Sequence, residues 1–331
     1  MGGALRVDDE AIQWLRAAVA GTVISGMHCT NRYAIVACAT PAWLAPAAVT
    51  LWSCARAGAA QLADLVIVCH KPSRRDAEDL ARFNAMRGTE IRLLPVDATA
   101  LARPGSGWGV GTLLRLKLDE YLPPAYERVL YVDADVLALH DIREIFSVGM
   151  DGHVIAAVPD VGSCMSRRTR RHVRRLNLPA DAGYFNAGVM LFDWQRTRTS
   201  GYLPRALDLL RSGRHWPLLD QDVLNIASAG QWKRLPLRWN VQQWLAEYLG
   251  ADAEAVATLR HFVGPYKPWN SAQQPACRSA RGVYADCLAG TPWEPILNTN
   301  QVNWSLSSRL HWLKQQCRVF RKARMSVLLH S

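Results

Sequence analysis

The stretch Arg128 to Leu139, RVLYVDADVLAL, limits what this chain can become more than any other. Val129, Leu130, Tyr131 and Val132 form an unbroken apolar run, which predicts a strand buried on both faces of a parallel sheet. The run then meets Asp133 and Asp135, and a carboxylate is costly to bury without a partner. At i and i+2 where a strand ends, the two can face the same way. Paired hard oxygens suit a divalent cation, and ligand sites in open α/β sheets lie beyond the carboxyl ends of strands. One Asp capping a helix and one exposed in a loop would give the same pattern, so other segments must decide.

Those segments predict an α/β domain. Residues 33–39 (YAIVACA), 65–69 (LVIVC) and 90–96 (EIRLLPV) read as strands, with helices at 45–57 and 76–86 between them. Such alternation predicts right-handed parallel crossovers. A helix over 113–122 leads into the Asp133 strand, and 153–159 and 184–193 return to strand character. Helices are expected at 203–210 and 222–229, and a short strand at 258–263. Residues 270–300 read as polar and irregular.

The formal net charge of +11 points towards nucleic acid, an anionic membrane or anionic small molecules. Eight cysteines without a CxxC pair favour a reducing compartment over a disulfide framework. Asp8, Asp9 and Glu10 stand where a signal peptide would be basic, so they predict a short capped helix instead. The uncharged span 33–55 is broken by Pro41 and Pro46 and reads as strand, turn and helix, not as a membrane span. At the other end, Leu306, Leu310, Leu313, Cys317 and Phe320 form one apolar stripe of a helix. Arg309, Lys314, Arg318, Arg321, Lys322 and Arg324 take its other faces, with Trp304 and Trp312 nearby. This predicts a helix over 304–329 that lies on an anionic membrane surface. A helix packed on the core with solvated charges is the alternative.

Four segments place polar residues in apolar surroundings. They are Val132-Asp133-Ala134-Asp135, Phe185-Asn186-Ala187-Gly188-Val189, Asp220-Gln221-Asp222, and His261-Phe262-Val263-Gly264 running on to Lys267-Pro268-Trp269. In this order and spacing, the chain from about Tyr33 to Trp269 resembles glycosyltransferase family 8, which includes bacterial lipopolysaccharide galactosyl- and glucosyltransferases and glycogenin. The resemblance implies a GT-A fold, a mixed, mainly parallel sheet flanked by helices. It divides the chain into an N-terminal helical extension (1–32), a catalytic domain (33–269), and an irregular segment with the basic amphipathic tail (270–331). It also implies retaining transfer of a hexose from UDP-galactose or UDP-glucose to a saccharide acceptor, with Mn²⁺ or Mg²⁺. The expected setting is cytoplasmic and peripheral on the inner face of the membrane.

Matched to the family, Asp133, Asp135 and His261 look like metal ligands. Two carboxylates and an imidazole leave open positions for diphosphate oxygens, and the metal would act as a Lewis acid on the departing UDP. Ala134, between the two carboxylates, is expected to contact the donor as well. Gly264 suggests close backbone approach and Lys267 a positive charge for diphosphate. Arg115 falls where the family places an arginine near the donor phosphates. Asn186 and Ala187 resemble donor-sugar and ribose contacts. Asp220 and Gln221 resemble the pair that holds the transferring sugar, although Asp220 also suits a helix N-cap. Asp160 is a candidate partner for an acceptor hydroxyl. Gln221 is a poor nucleophile, so the expected chemistry is same-face displacement and not a covalent intermediate.

The chain departs from the family after its first strand. Thr40-Pro41-Ala42-Trp43 stands where the family reads Asp-x-Asn-Tyr. Trp43 can still stack on a base and Thr40 can replace one hydrogen bond. Arg167, Arg168, Arg170, Arg171, Arg174 and Arg175 form either a solvated helix face or a contact for an anionic acceptor such as a lipopolysaccharide core. Two rival readings remain, a catalytically silent sugar-nucleotide binder and a basic nucleic-acid-binding protein. The second lacks a recognisable motif, so nucleic acid is not an expected partner.

Overall fold

The alternation of side chains along the first strand assigns them to two separate cores. Ile35, Ala37 and Ala39 pack into one cluster, while Ala34, Val36 and Cys38 pack into the other on the opposite face. The Asp133 strand divides the same way, with Leu130 and Val132 on one side and Val129 and Tyr131 on the other. A strand covered on both faces needs apolar residues at every position, which explains the continuous runs. The computed structural model describes residues 29–102, 109–162, 167–179, 182–249, 252–264, 267–270 and 277–297. The N-terminal helix expected near Asp8 and the basic tail at 304–329 lie outside these residues.

In chain order the strands are β1 (Tyr33–Ala39), β2 (Ala63–His70), β3 (Ile91–Val96), β4 (Arg128–Val132), β5 (Val136–Ala138), β6 (Ile155–Pro159), β7 (Phe185–Asp193), β8 (Lys233–Arg234), β9 (Val241–Gln242) and β10 (Leu259–His261). The main helices are α1 (Leu44–Cys54), α2 (Arg74–Arg87), α3 (Arg167–Arg174), α4 (Tyr202–Arg211), α5 (Leu219–Ser228) and α6 (Arg278–Leu288). The large sheet has the order β3-β2-β1-β4-β7-β6-β8. β1 runs parallel to β2 and β4, and β7 is antiparallel to both β4 and β6. The order changes direction between β1 and β4, which opens a crevice at their carboxyl ends. A small sheet, β5-β10-β9, closes over that end.

Two segments differ from the sequence expectation. The helix expected over 113–122 is three single turns, Val110–Leu113, Leu114–Lys117 and Leu118–Tyr121. Leu113, Leu114, Arg115, Leu116 and Leu118 are all buried there, more sides than one straight helix can turn inward. Residues 270–300 are not uniformly irregular, because α6 occupies Arg278–Leu288. Its buried stripe, Cys277, Ala280, Tyr284, Cys287 and Leu288, uses small residues and cysteines that a hydropathy reading undervalues. No helix of the described residues is long and apolar enough to cross a membrane.

Candidate active site

The turn that ends β4 brings the two aspartates together. The backbone N–H of Asp133 donates to Gly188 on β7 at 2.8 Å, so the ladder continues one residue past the strand. Val136 N–H then donates to Asp133 O at 3.1 Å and closes a tight turn into β5. β5 pairs antiparallel with β10, with Val136 opposite His261. That register sets the imidazole beside Asp135, with Nε2 3.2 Å from Asp135 Oδ1 and 3.7 Å from Asp133 Oδ2. One ligand atom from each of Asp133, Asp135 and His261 lies within 4.8 Å of the others. Two hard oxygens and an imidazole in this spacing fit a divalent cation with positions left open.

Gly188 makes the cluster possible. A Cβ there would lie 2.1 Å from His261 Cε1 and 2.8 Å from Asp133 Oδ2. Gly264, in contrast, has a φ of +97° and open space around a hypothetical Cβ, so its backbone conformation, not crowding, calls for glycine.

Electrostatics decide the neighbours. Lys267 is buried, and its ammonium donates to Asp135 Oδ2 and, at 2.7 Å, to Phe262 O. Its charge is therefore engaged by a carboxylate as well as available to the cavity. Burial pushes the Asp135 carboxyl up, but Lys267 and His261 outweigh it and hold the group well below the usual carboxylate range. Arg115 is 4% exposed and lies between two acids. Its Nη2 donates to Asp133 Oδ1 at 2.7 Å, and its Nε is 3.2 Å from Asp220 Oδ2. Nη1 donates to Ala187 O at 2.8 Å, and the guanidinium stacks 4.5 Å from the Tyr131 ring. The Tyr131 hydroxyl donates to Asp133 Oδ1 at 2.6 Å. Burial pushes Asp220 up to about 6, with Arg115 opposing it.

Asp220 does not cap α5, since the N-cap position is Leu218 without a side-chain cap bond. The cap reading fails because the helix begins at Leu219, which leaves Asp220 inside its first turn with its carboxylate paired to Arg115. Gln221 beside it is held on both ends: Oε1 accepts from Ala187 N–H at 3.1 Å and Asn186 Nδ2 at 3.2 Å, and Nε2 donates to Asp160 Oδ2 at 3.1 Å. Asn186 and Ala187 thus meet protein groups as well as the cavity. Thr40, Trp43, Arg115, Asp133, Ala134, Asp135, Asp160, Asn186, Ala187, Asp220, Gln221, His261, Gly264 and Lys267 all line one cavity of about 760 Å³ at the β1/β4 crevice. Trp43 is 40% exposed and meets Trp269 edge-on at 5.5 Å between centroids.

The sequence reading missed Asn240, which hydrogen-bonds both His261 and Asn186. It also gave Tyr131 and Gly188 no role. Only Gly188 carried a signal, a glycine inside a strand, which marks close approach of another group.

Comparison with known proteins fits this architecture. The Salmonella typhimurium lipopolysaccharide 1,3-galactosyltransferase is 30% identical over 210 residues, covering 59% of this chain and 61% of that protein. The Escherichia coli lipopolysaccharide 1,2-glucosyltransferase is 29% identical over 198 residues, 56% of each chain. The chain thus spans about three-fifths of the length of such relatives. Among solved structures, the galactosyltransferase LgtC with donor and acceptor sugar analogs shares the fold at a TM-score of 0.66 and 20% identity, covering 80% of this chain and 99% of that one. The bifunctional WbbM transferase aligns with a TM-score of 0.68 at 19% identity over 84% of this chain and 53% of that one. The sequence profile of glycosyl transferase family 8 matches residues 34–273. Most of the chain lies in that match, and this protein belongs to glycosyltransferase family 8, with a GT-A fold.

Proposed function

We propose that the protein transfers a hexose, galactose or glucose, from a UDP-sugar to a saccharide acceptor with retention of the α configuration, using a divalent metal. One observation carries this reading. The Asp133/Asp135/His261 cluster and the Gln221/Asp160 pair line the same cavity, joined through Arg115 between Asp133 and Asp220. A bound Mn²⁺ or Mg²⁺ would supply Lewis-acid stabilisation to the leaving diphosphate. Lys267 and Arg115 contribute fixed positive charge beside that group, and Thr40 and Trp43 border the place of the base. Gln221 holds its carboxamide against the sugar, where an amide stabilises positive charge without forming a bond. The bond between the anomeric carbon and the phosphate oxygen breaks as the acceptor oxygen bonds to the same face, and the acceptor proton passes to the departing phosphate.

The acceptor we infer is a saccharide of a lipopolysaccharide core or another cell-surface glycan, presented at the inner face of the membrane. The lipopolysaccharide transferases among the relatives support this. The domain limits 33–269 and the membrane contact of 304–329 are part of the same reading. Calorimetry with UDP-galactose and UDP-glucose, with and without Mn²⁺, tests it. We expect binding that requires the metal, and transfer activity that persists in saturating EDTA would overturn the metal assignment. Binding of both donors without turnover on any saccharide would favour the catalytically silent alternative, which the Thr40–Trp43 segment permits.

A further inference from the structure

A chain of buried carboxamides runs from the imidazole of the metal cluster to the sugar side of the cavity, and the backbone fixes its direction. It starts at Gly188, whose backbone N–H can only donate. The Asn186 side-chain atom 3.1 Å from it must therefore be the acceptor, Oδ1. The other end of Asn186 agrees, because its Nδ2 faces two acceptors, Gln221 Oε1 at 3.2 Å and Asp160 Oδ2 at 3.3 Å. With Asn186 Oδ1 so oriented, the Asn240 atom 2.9 Å away must be the donor, Nδ2. Asn240 then turns its oxygen to His261 Nδ1 at 3.0 Å. An amide oxygen only accepts, so Nδ1 carries the hydrogen and Nε2 is the nitrogen turned towards Asp133 and Asp135.

We propose that Asn240 is a positioning residue, holding His261 in the Nδ1–H form so that Nε2 is presented to a divalent cation beside Asp133 and Asp135. The inference rests on the metal-dependent reading above. It also assigns Asn240 a second role, because the same carboxamide donates to Asn186, which in turn meets Gln221. One side chain thus aligns the metal half and the sugar half of the site.

The fold places Asn240 for this. It closes the short turn Leu237–Asn240 and leads directly into β9, whose Gln242 pairs with His261 in parallel register. It is 0% exposed, so no water competes for its bonds. A hydrophobic residue could serve neither neighbour. A carboxylate could accept from Nδ1 but has no hydrogen for Asn186.

Two variants of the full chain separate positioning from packing. Asn240→Leu removes both bonds, and Asn240→Asp keeps only the acceptor for His261. Calorimetry with Mn²⁺ alone and Mn²⁺ plus UDP measures affinity, and initial rates with UDP-galactose measure turnover. Asn240→Leu should weaken Mn²⁺ binding about 10- to 100-fold, as loss of a partner behind a metal ligand does. Asn240→Asp should keep Mn²⁺ binding close to the wild type, because a carboxylate still accepts from Nδ1, yet lose turnover through Asn186 and Gln221. Wild-type Mn²⁺ affinity in Asn240→Leu, or equal weakening in both variants, would overturn the proposal. Histidine-ring ¹⁵N spectra of the metal-free wild-type protein, taken under mildly alkaline conditions, give a readout independent of metal and of whether Asn240→Leu folds. A ring protonated at Nδ1 supports the assignment, and one protonated at Nε2 overturns it. Absence of Mn²⁺ binding in the wild type together with an Nδ1–H ring would defeat the metal-dependent reading while leaving the tautomer assignment standing.

Discussion

Gly188 is where a single atom has the largest effect on this site. A Cβ would enter the space of both His261 and Asp133, so Gly188→Ala must displace the imidazole or the β7 backbone. Overpacking of this kind costs about 1–3 kcal/mol. We expect that loss in denaturant unfolding, together with at least a tenfold fall in transfer rate, on the order expected for disturbed metal ligation. Arg115 stands at the other extreme, since its removal leaves charges instead of adding bulk. Arg115→Met strands Asp133 and Asp220 without their shared cation, and breaking a buried pair costs about 3–5 kcal/mol. Urea unfolding curves of the metal-free protein check this, and an unchanged midpoint would show that the pairing contributes nothing. Gln221→Ala should lower turnover strongly while calorimetry shows donor binding intact, because the role proposed for the amide, held by Ala187 N–H and Asp160, is against the sugar and not the nucleotide. Equal loss of both would assign it to scaffolding.

Among the elements, the strands were readable and their ends were not. The runs that form β1, β2, β4 and β7 identify themselves because a sheet buried on both faces admits few polar residues. Asp64 on β2 is an exception with its own explanation. It lies at the end of the strand away from the cavity, accepting from the Thr30 hydroxyl, the Tyr126 hydroxyl at 2.8 Å, the Thr30 N–H at 3.1 Å and Asn31 Nδ2 at 2.9 Å. Burial raises its pKa, but these hydrogen bonds together outweigh burial and lower it below the ordinary value. The folded-state pKa is thus depressed, so this contribution is complete above the unfolded value of about 3.9 and fades as the pH falls through the folded one. Asp64→Asn should flatten the acid limb of the stability curve below about pH 4, as followed by circular dichroism. The arginine helix α3 belongs to the same scale. Thr169 lines the cavity, and His172 Nε2 meets Asp222 Oδ1 at 2.8 Å, so the helix is tied to α5 next to Gln221. Its arginines are exposed and no carboxylate of the described residues pairs with them. Charge reversal at Arg170 and Arg174 should raise KM for an anionic saccharide acceptor without altering donor binding, and full activity on such an acceptor would discard the contact.

For the molecule as a whole, ligand binding and stability are linked. Mn²⁺ with UDP should raise the melting temperature of the full chain, by about 2.7 kcal/mol of stabilisation at a hundredfold excess over Kd. Asp135→Asn should abolish that rise. How much of this could be read from sequence depends on distance along the chain. The GT-A architecture and Asp133, Asp135, His261 and Gln221 stand in short segments with their own contrast of polar on apolar. Asn240 has no such contrast, and its partner Asn186 is 54 residues away, so only the folded backbone brings the two together. Arg115 is placed through its likeness to the family alone, because its two acids lie in different elements of the fold. The frame behind the site has a chemical character of its own. Asn186, Gln221, Asn225, Asn240 and Gln242 are all carboxamides tied to backbone or to one another. Such groups neither gain nor lose protons in the physiological range. A scaffold of neutral amides therefore holds the same shape across that range, and the room in which the chemistry occurs is not remodelled by acidity.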